Sequence, residues 1–116
     1  MTDNRLYKYK GEVVKIVDGD TIDVMVDLGF NIFIKERFRL ARIDAWEVRG
    51  EERIKGLEAK KFISELLQGK QVFIDSKGTG KYGRWIAEVF VLDEKGAMLN
   101  INDELVEKGH AKPVEW

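Results

Sequence analysis

The stretch of this chain with the most chemistry is Phe38-Arg39-Leu40-Ala41-Arg42-Ile43-Asp44-Ala45-Trp46-Glu47. An apolar, strand-like run carries a guanidinium and then ends in two carboxylates three positions apart. Burying an arginine or a carboxylate is costly unless the charge is paired or holds a ligand, so a strand that ends in Asp-x-x-Glu needs a partner. The residue inventory narrows the kind. There is no cysteine and a single histidine, His110. Disulfides, thiolate zinc sites and cysteine nucleophiles are excluded, and a Ser-His-Asp arrangement nearly so. Carboxylates, arginines, lysines and tyrosines remain. That set suits hard, oxygen-loving cations and anionic substrates.

The charge is unevenly placed. A net charge of −1 argues mildly against tight binding to a polyanion over the whole surface. Locally, Arg37, Arg39 and Arg42 share one strand, and Lys77, Lys81 and Arg84 cluster around one loop. Taken singly, Arg37, Arg42 and His110 read as surface residues, and Asp20 and Asp44 as turn carboxylates. The 116 residues suffice for one domain with a single core, and a composition 44% hydrophobic and 35% charged is that of a soluble globular protein. No apolar run approaches the roughly 20 residues of a membrane span. Met1 to Arg5 lacks the apolar segment of a signal peptide, so the chain as given reads as cytoplasmic, or as secreted if a signal has been removed.

The elements that must position these groups follow from periodicity. Residues 1–11 read as a polar lead-in. Glu12 to Val17 is β-branched and predicts a strand, interrupted by Asp18-Gly19-Asp20-Thr21, which has turn chemistry. Ile22, Val24, Val26 and Leu28 alternate with Asp23, Met25 and Asp27 as a half-buried strand, Gly29-Phe30-Asn31 forms a hairpin tip, and Ile32 to Asp44 predicts one long return strand. Strict alternation puts Phe38, Leu40 and Arg42 on one face and Arg39, Ala41 and Ile43 on the other. Arg39 and Asp44 then face opposite ways, and only a bulge or a strand end can bring them together.

Glu47 to Gly56 predicts a surface loop or frayed helix start. Ala59, Phe62, Ile63, Leu66 and Leu67 mark one face of a helix, with Gly69 as its stop. Gln71 to Asp75 predicts a short strand, and Ser76 to Arg84 a glycine-rich basic loop without the spacing of a nucleotide-binding motif. Trp85, Ala87, Val89 and Val91 predict a fifth strand with Trp85 in the core, and Asp93 to Gly96 a turn. Asn102 is read as the cap of a short helix through Glu107, stopped by Gly109. Five strands with one main helix between the third and fourth, and a short C-terminal helix, make a mainly β, α+β chain. Its order is that of an OB-fold, a five-stranded Greek-key barrel that commonly binds oligonucleotides.

Three motifs in order then carry a more specific likeness: Asp18-Gly19-Asp20-Thr21, Phe38-Arg39-Leu40 with Asp44-x-x-Glu47, and Lys81-Tyr82-Gly83-Arg84. Together with Glu104-Leu105-Val106, Gly109 and Ala111-Lys112, they resemble the staphylococcal nuclease family over residues 12–112. The resemblance implies a calcium-dependent phosphodiesterase acting on single-stranded or denatured DNA and RNA and leaving 3′-phosphate products. It implies Asp20 and Asp44 as calcium ligands with the backbone carbonyl of Ala45, and Asp18 one layer further out. Glu47 would orient or deprotonate the attacking water, Arg39 and Arg84 would grip the phosphate, and Lys81 and Tyr82 would line the nucleotide pocket. A monomer is expected.

The chain departs from the family in several places. Ala45-Trp46 stands where Thr-Pro is usual, which leaves Trp46 to pack over the site or stack on a base. The hairpin from Asp20 to Arg39 is longer than in the best-known member and the Glu47–Gly56 loop shorter. The family's late tyrosines have no clear match, with Glu115 and Trp116 in their place, and a further C-terminal helix has no counterpart. Two other readings fit such a barrel: a module that binds nucleic acid or protein without cutting, and an interaction domain with vestigial motifs. The first would be marked by lost catalytic residues, yet Asp20, Arg39, Asp44, Glu47 and Arg84 are all present.

Overall fold

The computed structural model describes residues 7–47, 50–80 and 83–114. Its strands are β1 (Lys8–Asp18), β2 (Thr21–Asp27), β3 (Phe33–Leu40), β4 (Ile43–Ala45), β5 (Gln71–Thr79), β6 (Trp85–Leu92), β7 (Met98–Asn100) and β8 (Ala111–Pro113). Helix α1 (Arg53–Leu67) follows a 3-10 turn at Gly50–Glu52, and α2 (Ile101–Glu107) joins β7 to β8.

The five long strands close on themselves. β1 lies antiparallel between β2 and β5, β2 continues to β3, and β5 to β6. The ring is completed where β3 and β6 run parallel, Phe38 to Leu40 beside Trp85 to Ala87. This is the OB-fold order that the pattern predicts, with β7 extending β6 and with β4 and β8 as a separate two-stranded ribbon.

Alternation accounts for the interior. Ile22, Val24 and Val26 of β2, Val72 and Ile74 of β5, and Ala87, Val89 and Val91 of β6 point inward and are buried. Helix α1 adds Ala59, Ile63 and Leu67, buried one turn apart, with Phe62 and Leu66 packed at the margin. Gly69 ends the helix at φ +71°, and α2 contributes Ile101 and Leu105. Gly11 marks how tightly β1 is coiled between its neighbours. A Cβ there would stand 2.6 Å from Val24 Cγ1 and 2.7 Å from the Met25 carbonyl oxygen.

Several expectations are corrected. The lead-in is shorter than residues 1–11, because Lys8 to Glu12 pair with Gln71 to Asp75 and so belong to β1. β5 likewise runs on to Thr79, with an irregular register between Ser76 and Thr79. Trp85 is 41% exposed rather than in the core, since β6 buries only from Ala87 onward. The cap of α2 is Asn100, whose side chain accepts from the Asp103 amide at 3.0 Å. Asn102 is instead fully buried. Its Nδ2 donates to the Ala41 and Ala87 carbonyls at 2.9 and 3.1 Å, and its Oδ1 accepts from the Val89 amide at 3.0 Å.

The return strand from Ile32 to Asp44 is not continuous. It breaks at Ala41-Arg42, where Arg42 adopts φ +65°, a left-handed conformation unusual for a side chain of its size. Partners hold it there. The Arg42 guanidinium donates to both oxygens of Glu88 at 2.7 Å and to Asp103 Oδ1 at 2.7 Å, while its carbonyl accepts from the Val114 amide. The break also overturns the predicted pairing of faces: Arg42 turns outward instead of following Leu40 inward, and Ile43 is buried.

Candidate active site

Asp20 sits in the turn between β1 and β2, which is pressed into the molecule. A Cβ on the preceding Gly19 would lie 3.0 Å from the Cβ atoms of both Ala45 and Ala59, so a small residue lets the turn approach β4 and α1. Asp20 uses that closeness. Its carbonyl accepts from the Leu40 amide at 2.8 Å, its Oδ1 from the Thr21 hydroxyl at 3.0 Å and its Oδ2 from the Ala45 amide at 3.0 Å.

Arg39 enters from β3 and is 7% exposed. Its Nη1 lies 2.9 Å from Asp20 Oδ2 and donates to the Ile43 carbonyl at 3.2 Å; its Nη2 donates to Asp44 Oδ1 at 3.3 Å. The break at Ala41-Arg42 is what makes the last contact possible. By folding β4 back, it puts Asp44 in front of a guanidinium that an unbroken strand would have aimed the other way. One cation thus lies between two carboxylates from distant parts of the chain, Asp20 nearly buried and the Asp44 side chain 48% exposed.

Asp18, Glu47 and Arg84 stand at exposed positions. Asp18 ends β1, opposite Thr21. Glu47 follows β4, and its amide donates to Glu52 Oε1 at 3.2 Å, which ties the segment to the start of α1. Arg84 precedes β6, whose next residues lie alongside Phe38 and Arg39; its carbonyl accepts from the Gly80 amide and closes the basic loop. Lys81 and Tyr82 lie outside the described residues.

Among the described residues, no three His, Cys, Asp or Glu side chains converge as a metal cage. Asp20 and Asp44 offer oxygen donors alone, the type that suits a hard cation rather than zinc or another soft metal, and here both carboxylates contact Arg39. Two polar clusters escaped the sequence reading. Arg42 joins Glu88 and Asp103, and Arg37 meets Asp23 with Nε 2.8 Å from Oδ1. Burial pushes the Glu88 carboxyl up, but hydrogen bonds from Arg42 and Asn100 outweigh it and hold the group below its ordinary value. The Arg37 hydrogen bond lowers Asp23 in the same sense. The available signal was Glu88 inside the otherwise apolar strand Trp85–Leu92.

A closed OB barrel with an arginine held between two aspartates at the β1–β2 turn and the β3–β4 break defines a nuclease-like domain. A family model described as staphylococcal nuclease homologue matches residues 37–115, well over half of the chain. The chain belongs to the staphylococcal nuclease family. Arg39, Asp44, Ala45, Glu47, Lys81, Tyr82 and Arg84 fall within the matched span, and Asp18 and Asp20 before it.

Individual relatives match over most of this chain. Protein ParB of Escherichia coli is 37% identical over 106 residues, covering 88% of this chain and 55% of that protein. Micrococcal nuclease of Shigella flexneri is 36% identical over 107 residues, 89% of this chain and 57% of the relative. An uncharacterized endonuclease of Haemophilus influenzae is 36% identical over 99 residues, 85% and 49% of the two chains. The chain therefore spans about half the length of the curated relatives it matches.

Proposed function

We propose that this domain is a calcium-dependent nuclease hydrolysing phosphodiester bonds of single-stranded or denatured DNA and RNA. The observation that carries the reading is the placement of Asp20 and Asp44 on one buried guanidinium, with Glu47 three positions beyond Asp44. The relatives named as nucleases support it. Attack on a phosphodiester anion needs its charge neutralised, a water aligned opposite the leaving oxygen, and a proton acceptor. Arg39, oriented by its two aspartates, and Arg84 at the exposed start of β6 supply positive charge to the non-bridging oxygens. Glu47 accepts the proton of the attacking water as the new P–O bond forms; the P–O5′ bond breaks, and the 5′ oxygen leaves to take a proton from solvent. The 3′ product keeps the phosphate.

Asp20, Asp44 and the Ala45 carbonyl would hold calcium, with Asp18 behind them; when bound, the ion supplies further charge neutralisation beside the phosphate. Lys81 and Tyr82 would line the nucleotide pocket. The test is cleavage of denatured DNA with calcium, with chelator, and by Glu47→Gln. Cutting is expected only with calcium and is expected to fall about 10²–10⁴-fold in the variant. Because Glu47 is exposed, the variant's melting temperature should stay within about 2–3 °C of the parent.

A second reading has one observation in its favour. Asp20 and Asp44 already neutralise Arg39, as they would in a barrel that binds nucleic acid without cutting it. Oligonucleotide binding with no cleavage at any calcium concentration would establish it.

A further inference from the structure

Trp46 occupies the position between the Ala45 carbonyl and Glu47, and its surroundings are unlike those of a core tryptophan. It is half-buried, and its indole Nε1 donates to the Gly109 carbonyl at 2.9 Å, which fixes the ring. Two ammonium groups lie over that ring, Lys55 Nζ of α1 at 4.6 Å and Lys112 Nζ of β8 at 5.2 Å from its centroid. Both lysines are exposed, and among the described residues neither pairs with a carboxylate. A lysine on a surface rich in Asp and Glu ordinarily finds an acid or stays in water. Here two lie against one indole.

The ribbon places this group beside the reactive carboxylates. Ala45 pairs with Ala111, both buried, whereas Asp44 pairs with Lys112. Alternation then sets Asp44, Trp46 and Lys112 together on the outward side of the β4–β8 ribbon. Cation–π attraction leaves the outer N–H groups of each ammonium available to an anion.

We propose that Trp46, Lys55 and Lys112 form a phosphate subsite that grips a backbone phosphate of the nucleic acid next to the one being cut. The indole gathers and orients the lysines, and the lysines carry the charge. The proposal takes the polymer's identity from the nuclease reading, but the test does not depend on cutting.

Binding of a short fluorescein-labelled oligothymidylate is measured in chelator across a salt series, for the parent, Lys55→Gln/Lys112→Gln and Trp46→Leu. The double variant is expected to bind about tenfold more weakly at low salt, with a slope of log K against log salt shallower by about 0.7. Trp46→Leu should move both quantities in the same direction, since the lysines lose their platform, and Trp46→Phe should recover part of the loss. In calcium, the double variant should raise KM and leave kcat within about twofold.

An unchanged salt slope in the double variant overturns the subsite even if cleavage is normal, and so does a parent protein that fails to bind the oligonucleotide. Weakened binding with the altered slope upholds it whether or not calcium-dependent cutting is found. If Trp46→Leu loses thermal stability while keeping the parental slope, the ring serves packing and the proposal falls.

Discussion

Both oxygens of Asp20 are committed, Oδ1 to the Thr21 hydroxyl and Oδ2 to the Ala45 amide and the Arg39 guanidinium. Asp20→Ala would leave a nearly buried arginine without its 2.9 Å ion pair to Asp20, at an expected cost of about 3 kcal/mol in unfolding free energy. Asp20→Asn keeps an acceptor for Ala45 and should recover part of that loss, measurable by urea denaturation of the pair. At this scale the sequence was informative about residue types. Arg39, Asp44 and Asp20 stood out because a charged group next to an apolar run must be compensated. It was silent on contacts, since strict alternation sent Arg39 and Asp44 to opposite faces. The feature that reunites them is a left-handed Arg42, and neither glycine nor asparagine announces it.

The break between β3 and β4 depends on packing against β6 and α2. Arg42 is clamped by Glu88 and Asp103, and Asn102 ties the Ala41 carbonyl to β6. Arg42→Ala would strip the buried Glu88 of its charged partner and remove what stabilises the turn. An expected loss of about 2–3 kcal/mol, or roughly 8–12 °C in melting temperature, should be seen by calorimetry. Elements were legible where periodicity was long, as in α1 and β2. The α2 cap was misassigned because Asn100 and Asn102 flank a single apolar residue and both have cap chemistry. Only burial separates them: one reaches the Asp103 amide, the other the barrel wall.

Over the whole molecule, acid sensitivity should report on the two ion pairs outside the site. Asp23 and Glu88 are both held below their ordinary values in the folded state. A depressed folded value means stability that is present above the unfolded pKa, about 4, and lost as pH falls through the folded one. Unfolding free energy should therefore be level toward neutral pH and decline below about pH 4. Asp23→Asn with Glu88→Gln should be less stable at neutral pH and show a shallower acid decline, measured by denaturation at stepped pH. The barrel's strand order was legible from the count of alternating segments and the place of the helix. Its closure was not, because a parallel contact between β3 and β6 leaves no local mark in either strand.

Among the described residues that closure pairs Phe38 to Leu40 with Trp85 to Ala87, and Arg39 is its middle residue. The barrel works like a garment whose fastener also carries the lock. Transient unzipping along this short seam would displace the arginine while the β1, β2 and β5 strands stayed paired. Integrity of the candidate site and global foldedness are then separable properties of this chain, and the Ala41 amide, which donates to the Ala87 carbonyl across the seam, would exchange with solvent deuterium earlier than the barrel's interior amides.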